Sequence, residues 1–126
     1  MRNSDYPDNL TCHVRDPKVW KENDTYYMVQ GARTNEDVGQ VLVFESEDKI
    51  NWKFRNRVES ENPFGYMWEC PDYFEIGTKK LLSTSVQGME GGIWDDCNVD
   101  QSGYFEIEGD ILGEYSCQNI TYGIMD

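Results

Sequence analysis

The chain has 126 residues, enough for one ordinary domain and too few for two independent ones. Its 24 Asp and Glu against 11 Lys and Arg leave a formal net charge of −13, which argues against nucleic acid or an anionic membrane as a partner. Met1–Leu10 has no apolar signal core and no apolar run approaches the length of a membrane span, so a cytoplasmic location is expected.

Aromatic residues reach 13%, and Gly, Asn, Asp and Ser are spread along the whole chain, a mixture that suits short strands joined by turns. Cys12, Cys70, Cys97 and Cys117 contain no C-x-x-C pair, and the single histidine, His13, is not at finger spacing. The cysteines are read as free thiols; no metal and no organic cofactor are expected.

Residues 1–14 are rich in Asp, Asn and Pro and read as a connector. Arg15–Trp20 reads as a strand, Lys21–Asp24 as a polar turn, and Thr25–Gly31 as a second strand dense in β-formers. Arg33–Val38 is a polar loop, Gln40–Phe44 a third strand, and Ser46–Phe54 turns into a fourth. Apolar residues recur at spacing two or in short runs, never at the helical three and four. Residues 15–58 thus form one four-stranded unit.

The pattern then restarts. Met67–Ile76 is a strand, Gly77–Lys79 a turn, and Lys80–Val86 the partner strand, ending in Gln87-Gly88. A Gly- and Asp-rich loop containing Trp94 follows, then a strand over Gln101–Ile107, and Thr121–Asp126 begins a fourth. Pro17 and Pro71 stand 54 positions apart (71 − 17), as do Trp20 and Phe74, while Gln30-Gly31 meets Gln87-Gly88 only after a shift of a few residues. Four-stranded units repeating at about 50 residues are the signature of β-propeller blades. The expected fold is therefore all-β: two four-stranded antiparallel blades of an incomplete propeller, with residues 15–58 as one blade and 67–126 as the next, incomplete one.

Two acidic motifs carry the candidate chemistry. In Trp68-Glu69-Cys70-Pro71-Asp72 a carboxylate lies between an indole and a thiol, a partly apolar setting that favours the protonated form a general acid needs. Arg15-Asp16-Pro17-Lys18-Val19-Trp20 is the second, one repeat upstream. Trp20, Trp52 and Phe74 read as packing aromatics, and Lys18, Lys21 and Arg33 as ordinary surface charges. His13 is given no role.

These two motifs, with Asp48-Lys49-Ile50-Asn51-Trp52 and Gln101-Ser102-Gly103-Tyr104 in the same order, resemble glycoside hydrolase family 32, which includes invertases and bacterial sucrose-6-phosphate hydrolases. The resemblance runs from about His13 to Tyr104. It implies a five-bladed propeller followed by a β-sandwich, of which this chain corresponds to blades two and three. It places the general acid/base on Glu69 and the transition-state stabiliser on Asp16, with Arg15, Asp16, Trp68 and Cys70 at the substrate and Cys70 tuning Glu69. The implied reaction is hydrolysis of a terminal β-fructosyl bond with retention, in a sugar such as sucrose, sucrose 6-phosphate or a fructan. The family's nucleophilic Asp belongs to a Trp-Met-Asn-Asp-Pro-Asn-Gly-like motif that this sequence lacks; Asp5-Tyr6-Pro7-Asp8-Asn9 does not supply it. The nucleophile is therefore expected outside this chain, which alone should be inactive. The alternative is a non-catalytic module that binds fructosides, or that self-associates through its unpaired blade surfaces to complete a propeller.

Overall fold

A computed structural model describes residues 1–89, 100–107 and 109–113, and the backbone of 122–124. After a short 3-10 turn at Asn3–Asp5 come β1 (Leu10–Glu22), β2 (Thr25–Thr34), β3 (Gly39–Ser46), β4 (Lys53–Val58), β5 (Met67–Ile76), β6 (Lys79–Gln87), β7 (Asp100–Glu106) and β8 (Tyr122–Ile124). They form two four-stranded antiparallel sheets, each with its strands in chain order. The all-β, two-blade architecture expected from the sequence is what the chain adopts. Trp94, Cys97 and Cys117, with most of the Gly- and Asp-rich loop, lie outside the described residues.

Most strand ends differ from expectation by one to three residues, and two strand starts differ by more. β1 begins at Leu10 rather than Arg15, so Cys12-His13-Val14 already belong to the sheet. The fourth strand begins only at Lys53, because Asp48–Asn51 is a turn built by one carboxylate. Asp48 Oδ1 accepts from the backbone N–H of Asn51 at 2.7 Å and of Ile50 at 2.8 Å, and its other oxygen accepts from the Asn51 amide at 2.7 Å. These donors hold the Asp48 carboxyl well below the usual carboxylate range.

The central strands β2 and β3 are buried on both faces, which explains the unbroken Val41-Leu42-Val43-Phe44 run. One face of the first sheet packs Val29, Val41 and Val43, with Val58 of β4, against Trp68, Leu82, Val86 and Phe105 of the second, and this inter-sheet layer is the main core. The opposite face of the first sheet carries Met28, Ala32, Leu42 and Phe44, covered in part by Tyr6, Leu10, Val14 and Trp52.

Two glycines set how closely the sheets approach. A Cβ on Gly31 would overlap the backbone carbonyl of Trp68, and one on Gly39 would overlap the Trp68 indole. β5 can therefore lie directly on β2 with Trp68 sealed beneath it. The indole stacks on Phe64 with ring centroids 5.0 Å apart, contacts Phe105 at the same spacing, and donates its N–H to the Phe64 carbonyl at 3.1 Å.

Candidate active site

Both acidic motifs sit on edge strands, β1 and β5, where a proline removes no ladder hydrogen bond. Each proline follows a residue in the left-handed region, Asp16 at φ 57° and Cys70 at φ 48°. At each place the strand register slips, between Arg15 and Lys18 on β1 and between Glu69 and Asp72 on β5. These are β-bulges, which bend an edge strand and re-aim its side chains.

The hairpins match position for position. Arg15 pairs with Gly31 and Lys18 with Val29 in the first; Glu69 pairs with Ser85 and Asp72 with Ser83 in the second. Every one of these residues has its counterpart 54 positions on (69 − 15, 85 − 31), so the shift expected at Gln30-Gly31 does not occur: Gly31 corresponds to Ser85, not Gly88. The turns obey the same offset, with Asn23 at φ 51° and Gly77 at φ 62°.

Side by side, the two edges join equivalent residues. Arg15 Nε is 3.2 Å from Glu69 Oε1, and Lys18 Nζ is 3.2 Å from Asp72 Oδ2. Between these pairs Asp16 Oδ2 accepts the Cys70 backbone N–H at 3.0 Å, with the Cys70 thiol at 3.7 Å from the same oxygen. Glu69 is the most enclosed of the four ion-paired groups, its side chain 24% exposed against 42% for Arg15. Its setting is ionic rather than the apolar one expected from the flanking indole and thiol. The backbone carbonyl of Glu69 is tied down by the Thr84 hydroxyl at 2.9 Å.

Of the residues singled out in the sequence, Arg15, Asp16, Glu69 and Cys70 come together. Trp68 does not join them, which corrects its expected place at the substrate: the residue is fully buried and its indole offers no face to a ligand. It acts from below, as the plate on which β5 rests. Cys70 reaches Asp16, while the Glu69 oxygen is held by Arg15. Burial, then the Asp16 carboxylate and, more weakly, Glu69 push the Cys70 thiol up. Sequence reasoning missed Lys18, which bridges the two sheets, and His13, whose Nδ1 lies 3.3 Å from Arg15 Nη2. The signal for Lys18 was available in the 54-residue offset, which sets it opposite Asp72. Among the described residues no group of three or more His, Cys, Asp or Glu is placed to hold a metal ion.

Residues 2–123 match the model of the glycosyl hydrolases family 32 N-terminal domain. The chain is 42% identical over 104 residues to the sucrose-6-phosphate hydrolase of Bacillus subtilis (strain 168), covering 79% of this chain and 22% of that protein. It is 36% identical over 121 residues to that of Staphylococcus xylosus, covering 95% and 23%. Among solved structures it resembles a Bombyx mori family 32 β-fructofuranosidase mutant in complex with sucrose, at a TM-score of 0.80 and 37% identity, over 96% of this chain and 26% of that one. The sucrose-6-phosphate hydrolase of Lactobacillus gasseri matches at a TM-score of 0.75 and 27% identity, over 93% and 24%. The chain spans about a quarter of the length of these relatives. With its two blades and its paired Arg-Asp-Pro and Glu-Cys-Pro bulges, the chain belongs to glycoside hydrolase family 32.

Proposed function

We propose that this chain supplies the acid/base half of a β-fructofuranosidase site, which cleaves the terminal β-fructosyl bond of sucrose or sucrose 6-phosphate with retention. The observation that carries the reading is the convergence of Arg15, Asp16 and Glu69 from two bulged edges, with Glu69 and Asp16 each held by a different partner. The names of the relatives, and the sucrose bound to the Bombyx mori enzyme, support the substrate class.

In this reading Glu69 protonates the glycosidic oxygen as the bond breaks and later takes a proton from the attacking water. Asp16 accepts hydrogen bonds from fructose hydroxyls that tighten as positive charge develops on the ring, so it binds the transition state better than the ground state. Arg15 keeps the Glu69 carboxylate in place between the two proton transfers. A retaining mechanism also needs a nucleophilic carboxylate roughly 5–5.5 Å from the acid/base, and that group comes from outside this chain.

The test is fructose release from sucrose and from sucrose 6-phosphate. The 126-residue chain alone is expected to release none. In a polypeptide that extends this chain in frame through a nucleophile-bearing segment, Glu69→Gln is expected to lower kcat by about 10²–10⁴-fold, the usual contribution of a positioned acid/base. Full activity in Glu69→Gln, or hydrolysis by the unextended chain, would remove the assignment.

A further inference from the structure

The bulge at Cys70 does something for its neighbour that the acid/base assignment does not require. Pro71 has no N–H, and the left-handed turn at Cys70 swings the one donor of the bulge away from β6 and across to β1. That N–H and the Cys70 thiol both meet the same oxygen, Asp16 Oδ2, at 3.0 Å and 3.7 Å. A carboxylate held through one oxygen by a backbone N–H is fixed in rotation, and such charge-assisted bonds are the stronger ones. Among the described residues none takes the other oxygen, Oδ1.

We infer that Cys70 is the positioning residue for Asp16: its backbone N–H and thiol lock Oδ2 so that Oδ1 is presented to the hydroxyls of the substrate. The inference rests on the reading of Asp16 as a substrate-holding group, but the contact itself is tested without turnover. It also reassigns the thiol. The resemblance set Cys70 to tune Glu69, whereas the geometry couples it to Asp16 and leaves Glu69 with Arg15.

The experiment is the rate of Cys70 alkylation by iodoacetamide in the intact chain from near-neutral to alkaline pH, with the Cys70 peptide quantified by mass spectrometry. The reagent attacks the thiolate, and the two carboxylates facing this thiol are those of Asp16 and Glu69. Asp16→Asn removes the negative charge while leaving an amide oxygen that can still accept. It is expected to speed alkylation by about three- to tenfold near neutral pH, since one unit of thiol pKa changes the thiolate fraction tenfold. Glu69→Gln is expected to speed it less. A larger effect in Glu69→Gln, or an unchanged rate in a folded Asp16→Asn chain, would return the thiol to Glu69 and overturn the inference.

Cys12, an exposed thiol near the start of β1, serves as the internal control for reagent reactivity, circular dichroism checks that each variant is folded, and Asp16→Ser is the second variant. Hydrogen exchange in the unmutated chain needs no variant at all. The Cys70 amide should exchange much more slowly than an edge-strand amide open to water, and fast exchange there would equally overturn the inference. A chain that passes both tests while its extended form fails to hydrolyse fructosides would keep the contact and lose the function assigned to Asp16.

Discussion

The β1–β2 and β5–β6 hairpins share a backbone and oppose each other in charge. Register, bulge, left-handed residue and two-residue turn recur at a constant offset of 54 (71 − 17). Yet the positions that face across the two edges are cationic on β1, with Arg15 and Lys18, and anionic on β5, with Glu69 and Asp72. In stacked repeats each position meets its own counterpart. Identical repeats would bring like charges together, which destabilises neighbouring strands. Divergence of charge on a retained scaffold turns that repulsion into attraction, and the partner of the candidate acid is set by its place in the repeat.

The comparison is broken most severely at Gly31 and its counterpart Ser85. Gly31 lies under the Trp68 carbonyl, so Gly31→Val is expected to destabilise by about 1–3 kcal/mol or more, the cost of forcing atoms into a packed layer. The Ser85 hydroxyl meets the Ser102 hydroxyl at 3.0 Å in an exposed contact, and Ser85→Val should stay within about 0.5 kcal/mol. Urea midpoints of the two variants measure this directly. Equal losses would mean that the glycine is not what lets β5 lie on β2.

The next pair sharpens the comparison inside the sheets. Opposite each bulge stands one buried polar residue, Gln30 on β2 and Thr84 on β6. Thr84 donates to the Glu69 carbonyl at 2.9 Å, whereas the Gln30 amide oxygen is buried without a partner among the described residues. Thr84→Val should cost about 1 kcal/mol. Gln30→Met should be neutral or stabilise by up to about 1 kcal/mol, because an unsatisfied buried acceptor leaves with it. A clear loss in Gln30→Met, read from thermal unfolding of this chain, would show that the amide has work in the fold.

Much of this was legible in the sequence, and the exceptions share a cause. Strand β5 was readable to the residue because its β-formers are bounded by turn residues on both sides. β1 was cut short at its start, since Cys12-His13-Val14 alternate too briefly to signal a strand and are recruited by pairing with β2. The repeat looked loose because Gln30-Gly31 and Gln87-Gly88 share letters without sharing positions; register is fixed by cross-strand pairing, not by composition. At the site, the motif letters singled out Arg15, Asp16, Glu69 and Cys70, yet not who holds whom. Local context put the thiol of Cys70 and the indole of Trp68 beside Glu69. Alternation along a strand sends the indole of Trp68 down into the core, and the bulge turns Cys70 across to Asp16.

The smallest expected effect is at Lys18 and Asp72, and it tests the charge argument most cleanly. The pair is more open than Arg15–Glu69, with side chains 55% and 41% exposed, and it touches neither candidate catalytic group. Lys18→Glu and Asp72→Lys each place like charges where a 3.2 Å ion pair stood, while the double exchange restores attraction with the signs reversed. Exposed pairs contribute about 0.2–1 kcal/mol, so each single variant should lose a fraction of a kcal/mol and the double variant should recover it. Salt in the molar range should erase the difference, because screening shortens the reach of exposed charges to about 3 Å. A double variant no better than the sum of the singles would mean that this outer pair adds nothing to the seam between β1 and β5, which then rests on the Arg15–Glu69 pair, the Asp16–Cys70 contact and the packed layer beneath.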